Sequence, residues 1–270
     1  MPVAGRAYKL LAQGLPLLEP VLDRLGDGAL LIGGLSVTAW LTARPVDRPI
    51  RPTADVDLGI DRMALGLTGN KTLLTELLGN QGFKPGYGDE AFRFARKTPA
   101  GNFVVDLLVA PGASRSKPPI VEPGLPTLAA PGLAYALIRG PMQLQLTLVD
   151  EPPRTFRLRT VQLDAAFVLK GALVASGVRT RPDRLITDTV DAVMLASACA
   201  ADKDAMSALA AHSRRSDVKS ATGWLAKQLA DKRSATARRV ARHFDDPTAA
   251  QWAIEVASSF AAALHTQSNG

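Results

Sequence analysis

The chain has 270 residues, 47% of them apolar, enough to bury a sizeable core in one large domain or two small ones. A net charge of +7 and a pI near 9.8 give a mild attraction for polyanions, which suits a nucleic-acid partner without identifying one. Cys199 is the single cysteine, which excludes an intramolecular disulfide; with neither a charged-then-apolar leader nor an apolar run of about 18 residues, a cytoplasmic protein with no membrane partner is expected.

Residues 7 to 25 carry leucines and Val21 near helical spacing, interrupted by Pro16 and Pro20, and read as an amphipathic helix that covers a sheet. Residues 29 to 32 are a short apolar strand ending at Gly33 and Gly34, and 35 to 42 have helical character, so the two glycines sit at a strand-to-helix turn. Residues 56 to 60 read as a strand and 71 to 81 as a helix. The stretches 92 to 96 and 103 to 110 read as a hairpin turning around Pro99, Ala100 and Gly101. Residues 111 to 132, rich in proline and glycine, read as a long connection, and 142 to 149 and 155 to 160 as further strands. From residue 162 the chain is alanine-rich, with helices expected at 162 to 176, 183 to 200, 203 to 212, 217 to 230, 233 to 244 and 247 to 265. The expected fold is α+β: a mixed sheet flanked by helices over residues 1–160, and a helical domain over 161–270.

The chemistry lies in the acids. In Thr53-Ala54-Asp55-Val56-Asp57-Leu58 the acids are separated by one residue, and strand side chains alternate faces, so both carboxylates point the same way and repel. A hard divalent cation, Mg²⁺ or Mn²⁺, relieves that repulsion, since it takes carboxylate, phosphate and water oxygens. Asp106 interrupts the otherwise apolar strand 103 to 109. Placed beside Asp55 and Asp57, it brings three carboxylates to one spot, as two-metal phosphoryl or nucleotidyl transfer requires. The Gly33-Gly34-Leu35-Ser36 turn lets a phosphate approach the backbone, with helix-start N–H groups and the Ser36 hydroxyl as donors. Thr53 serves the same site or bonds only to local backbone, and Arg51 touches phosphate or is an exposed charge.

Lys170 shares a helical stripe with Leu163, Phe167 and Val174, so its ammonium either faces inward to an anionic partner or snorkels to water. Asp188 and Asp191, three residues apart on one helix face, can pair with it or bridge to Arg181 or Arg184. Arg214, Arg215, Lys219, Arg238, Arg239, Arg242 and His243 form a basic surface that is either a solvated helix face or a path for an RNA backbone. His212, His243 and His265 have no metal-ligand spacing, and neither a Gly-x-Ser-x-Gly elbow nor a Walker loop is present.

An apolar strand, Gly-Gly-x-Ser, a helix, Arg51-x-Thr53-x-Asp55-Val56-Asp57-Leu58 and a lone acid in a later apolar strand together resemble the nucleotidyltransferase superfamily. Within it, the pattern resembles the AbiEii-like toxin family over residues 29 to 200, including its long glycine-to-acid spacing. The resemblance implies a nucleotidyltransferase-like sheet and a Mg²⁺-dependent enzyme that moves a nucleoside monophosphate from an NTP to a hydroxyl. Asp55, Asp57 and Asp106 would be its metal ligands, with Asp106 also taking the acceptor's proton. Gly33, Gly34, Ser36, Arg51 and Thr53 would hold the nucleotide, and Lys170 and Asp188, after the basic loop 179–181, would complete the pocket. Where the family has Lys-Asp at the second helix, this chain reads Thr187-Asp188. The resemblance also implies a toxin with a cognate antitoxin protein, and RNA, the tRNA 3′ end in particular, as acceptor. Two rivals remain: a small-molecule, aminoglycoside-type nucleotidyltransferase, and a non-catalytic nucleotide-binding module.

Overall fold

The structure, a computed structural model, describes residues 5–50, 53, 55–61, 63, 73–87, 92–111, 120–122, 125–148, 153–178, 181–231 and 233–268. Its first element, α1 (Gly5–Leu25), is one unbroken helix. Leu11, Leu15, Leu18, Val21 and Leu25 recur at three- and four-residue spacing and are all buried. Pro16 and Pro20, four residues apart, fall on the opposite, more exposed side, where water can reach the carbonyls they leave without a donor.

The central sheet consists of β1 (Ala29–Ile32), β2 (Val56–Ile60), β3 (Lys84–Pro85), β4 (Arg93–Thr98), β5 (Gly101–Val109), β8 (Leu128–Ala129), β9 (Pro141–Leu148) and β10 (Arg154–Val161). Its order is β3-β4-β5-β2-β1-β10-β9, with β8 added to β5; β6 (Ile120–Glu122) and β7 (Leu125–Pro126) form a separate two-stranded sheet. The β2–β5 and β1–β10 pairs are parallel, while β1–β2, β4–β5 and β9–β10 are antiparallel, so the sheet is mixed and the fold α+β as expected.

Alternation along the strands divides the core in two. Ala29 and Leu31 of β1, Val56, Leu58 and Ile60 of β2, and Phe103, Val105 and Leu107 of β5 pack with α1 and with α3 (Leu73–Asn80). Leu30 and Ile32 face the other way, into a second cluster with α2 (Gly33–Ala43), α4 (Leu133–Arg139) and the C-terminal helices. On that second face, helix α5 (Leu163–Ala175) is buried nearly all round and packs on α6 (Pro182–Ala200) and on α8 (Ser216–Gln228). Helix α7 (Lys203–Ala211) starts at Asp202, whose side chain accepts the Asp204 and Ala205 N–H groups. The amphipathic α9 (Ala235–Phe244) and α10 (Thr248–Ser268) close the bundle.

One expectation needs correcting. The segment 111–132 is not simply a connection: its described parts hold β6, β7 and β8, and α4 follows at once. Strands of two or three residues fall below the length at which alternation is visible, and the α4 run is too short for helical periodicity to register. Tyr135 of α4 donates its hydroxyl proton to Asp164, which also receives Arg139 Nε at 2.7 Å, so α4 and α5 are joined by a buried polar contact.

Candidate active site

Parallel pairing of β2 with β5 sets Asp57 directly opposite Asp106. Because their strand neighbours Val56, Leu58, Val105 and Leu107 all point to the α1 face, both carboxylates point to the other face, under the helical bundle. Asp55 precedes β2 by one residue and is partly buried. Antiparallel pairing of β1 with β2 sets Ile32 opposite Asp57, so the acids gather at the carboxyl end of β1, where α2 begins.

The glycines determine how closely the acids fit. Gly33 has φ +68, in the left-handed region, and a Cβ there would lie 1.7 Å from Asp57 Oδ2. At Gly34 a Cβ would lie 2.9 Å from the Oγ1 of buried Thr53, and the Gly34 N–H donates to the Asp57 carboxylate. In this arrangement, then, the glycine turn receives Asp57 and Thr53. Ser36 is fully buried and bonded at 2.8 Å to the Thr160 hydroxyl, so its side chain ties α2 to β10. Arg51, Arg179 and Thr180 lie outside the described residues.

The cations are distributed unevenly. Lys170 is buried on α5; its Nζ donates to Asp188 Oδ1 at 2.7 Å and lies 2.9 Å from Asp191 Oδ2, so it does not snorkel. Burial alone would lower the Lys170 ammonium, but the charges of Asp191 and Asp188 outweigh it and push it up. Arg184 lies 3.7 Å from Asp55 with both side chains partly exposed, and Arg181 pairs with Asp183 on the surface. The Thr187 hydroxyl donates to the Arg184 carbonyl at 2.9 Å.

Sequence reasoning missed one residue: Arg93. It stands opposite Asp106 in the β4–β5 ladder, and its Nε and Nη2 each donate to one Asp106 oxygen at 2.8 Å. The hairpin closes on two residues, Pro99 and Ala100, which pairs Thr98 with Gly101 and so Arg93 with Asp106; the expected turn also took in Gly101 and left that register open.

Asp57 is treated differently. Its carboxyl is pushed up to about 6 by burial and by the negative charges of Asp106 and Asp55, against the opposing Lys170 charge and Gly34 N–H. Asp55, Asp57 and Asp106 offer only oxygen donors, and the charges of Asp106 and Asp55 both act on Asp57, a donor set that fits a hard divalent cation. A three-acid cage is not formed: among the described residues, no group of three or more His, Cys, Asp or Glu side chains is placed so that it could hold a metal ion. Asp106 is engaged by Arg93, which leaves Asp55 and Asp57 as the fitting ligands.

Elsewhere, Arg238 and Arg242 are exposed on α9 while Val240 packs inward, and Arg215 is paired with Asp217 at 2.9 Å. His212 meets the edge of Tyr135, and His243 that of Phe244, at 5.5 and 5.0 Å between centroids. Cys199 is buried, with its Sγ 3.8 Å from the Leu163 carbonyl. No described helix is long and apolar enough to cross a membrane.

Fold and site together define an α+β protein in which acids gather on the sheet face that packs under a helical bundle, beside a glycine turn. No protein-family model matches the chain, and no curated protein matches it. Among solved structures it is similar to the crystal structure of an antigenic nucleotidyltransferase-like protein from Paracoccidioides brasiliensis, at 18% identity and a TM-score of 0.41, covering 80% of this chain and 91% of that one.

Proposed function

We propose that the chain is a nucleotidyltransferase that moves a nucleoside monophosphate from an NTP to a hydroxyl acceptor and releases pyrophosphate. The observation that carries this reading is the in-register pairing of Asp57 with Asp106 on one sheet face, beside the Gly33–Gly34 turn and under the α5–α6 helices. Asp55 and Asp57 would hold Mg²⁺ or Mn²⁺, which when bound neutralises the phosphate oxygens and polarises the α-phosphorus. The N–H groups opening α2 would receive the outer phosphates, and Lys170, through Asp188 and Asp191, fixes the wall of helices facing them. The acceptor oxygen attacks the α-phosphorus, the α–β bridge bond breaks with its electron pair leaving on pyrophosphate, and the hydroxyl proton passes to a carboxylate of the cluster. Positioning and charge supply the rate.

Within that class the motif order supports an AbiEii-like toxin, held in check by an antitoxin protein, with RNA and in particular the tRNA 3′ end as acceptor; the +7 net charge supports a polyanionic acceptor. The test is incubation of the protein with each labelled NTP, Mg²⁺ and total tRNA. Label is expected in RNA with wild type and not with Asp57→Ala, and the same substitution is expected to abolish growth arrest on expression. No label in RNA, protein or a small acceptor would defeat the enzymatic reading. One observation favours a second reading, a non-catalytic nucleotide-binding module: Arg93 holds both oxygens of Asp106. That reading predicts calorimetric NTP binding with no transfer, and a cellular effect that Asp57→Ala leaves unchanged.

A further inference from the structure

We propose that Arg93 is a built-in cation of this site: its guanidinium, fixed on Asp106, takes the place of a second divalent metal, so that the site works with one ion held by Asp55 and Asp57. The inference rests on the nucleotidyltransferase reading and deepens it.

Three observations carry it. First, the fork is complete: Nε and Nη2 meet Oδ1 and Oδ2 separately at 2.8 Å, which occupies both carboxylate oxygens that a metal would need. Second, the contact is set by the backbone. Arg93 and Asp106 are cross-strand partners on the central β5, and the two-residue turn at Pro99 and Ala100 allows no slip that would separate them. Third, the two paired acids are treated differently: Asp106 is engaged on both oxygens, while Asp57, its neighbour in the next strand, is not matched by an equivalent fork among the described residues. A guanidinium is suited to the post because it stays charged at any working pH and its planar N–H fork matches the two oxygens of a carboxylate. Arg93 is a positioning and charge-supplying residue for a reaction otherwise built on three carboxylates.

The experiment counts metal ions, which activity alone cannot do. Mn²⁺ bound to the full-length protein with a non-hydrolysable α,β-methylene NTP analogue is titrated by electron paramagnetic resonance, for wild type, Arg93→Lys and Arg93→Gln. One Mn²⁺ per chain is expected for wild type and Arg93→Lys, and two for Arg93→Gln, which frees Asp106. In parallel, transfer by Arg93→Gln is expected to fall about 100-fold at low metal, the size of effect seen when a single transition-state donor is lost. It should recover at high Mn²⁺ with a second-order dependence where wild type is first-order. Two Mn²⁺ in wild type would overturn the inference while leaving the nucleotidyltransferase reading intact, and so would a single Mn²⁺ in Arg93→Gln. No Mn²⁺ in any form would overturn both. Should Arg93→Gln fail to fold, the wild-type count decides the matter by itself.

Discussion

The carboxyl of Asp57 is the most informative group in the molecule, because burial and two neighbouring acids raise it from 3.8 to about 6. A carboxyl raised in the folded state binds its proton more tightly there than in the unfolded chain. Its contribution to stability is therefore present near pH 4 and is lost as pH rises through about 6. A rise of that size corresponds to at most about 3 kcal/mol, reduced by the solvent access the group retains. Asp57→Asn is expected to match wild type in urea unfolding at pH 4 and to exceed it by about 1–3 kcal/mol at pH 7.5. Mg²⁺ should stabilise wild type at pH 7.5, progressively less as pH falls below 6, and should not stabilise the variant. Equal stabilities at both pH values would show that Asp57 is not strained. Gly33 guards the same carboxylate. Gly33→Ala adds about 1–2 kcal/mol of left-handed strain and places a methyl where Asp57 Oδ2 now lies. Displacing that oxygen by about an ångström should cost about 100-fold in nucleotide transfer, read as kcat in the labelled-NTP assay with the fold checked by circular dichroism.

At the scale of elements, the site depends on two couplings: β2 to β5, which aligns the acids, and α5 to α6, which holds Lys170 between Asp188 and Asp191. Lys170→Met takes the ammonium from two buried carboxylates, and is expected to destabilise the fold by about 3–5 kcal/mol at pH 7.5. The loss should shrink on acidification, as those carboxyls take up protons. A pH-independent loss would mean that Lys170 contributes only packing. This scale also shows what could be read in advance. The acids were legible because Asp55, Asp57 and Asp106 break the apolar rhythm of strands, and strand alternation then fixes their face. The inward lysine was legible because α5 is apolar around its whole circumference. Arg93 was not, since β4 carries Arg93, Arg96 and Lys97, and only a register fixed to one residue tells them apart. Ser36 was left open by the sequence, because a serine two residues past a glycine pair looks the same whether it faces a ligand or bonds to a strand hydroxyl such as Thr160.

Over the whole molecule, the line drawn at residue 160 marks a change of composition, whereas the apolar cluster on the site's face crosses it. Leu30 and Ile32 of β1 and Val37 and Leu41 of α2 are buried in the same cluster as Phe167, Val193 and Phe260. Trp40 Nε1 donates to the Val161 carbonyl at 2.9 Å, and Arg48 reaches from the segment after α2 to Asp246 at 2.7 Å, stacked near Phe244 and Trp252. The acids therefore lie where one apolar cluster joins sheet to bundle, and neither part has a finished surface toward the other. A fragment of residues 1–161 would expose Leu30, Ile32, Val37 and Leu41 together, a contiguous apolar patch of the kind that drives association. It is expected to aggregate or to bind a hydrophobic dye without a cooperative thermal transition, while the intact chain unfolds in a single step seen alike by tryptophan fluorescence and far-ultraviolet circular dichroism. A soluble fragment with its own sharp transition would show that the sheet is self-sufficient. In that case the bundle could rotate away from the acids, and Lys170, Asp188 and Asp191 would report on the docking of bundle to sheet rather than on folding.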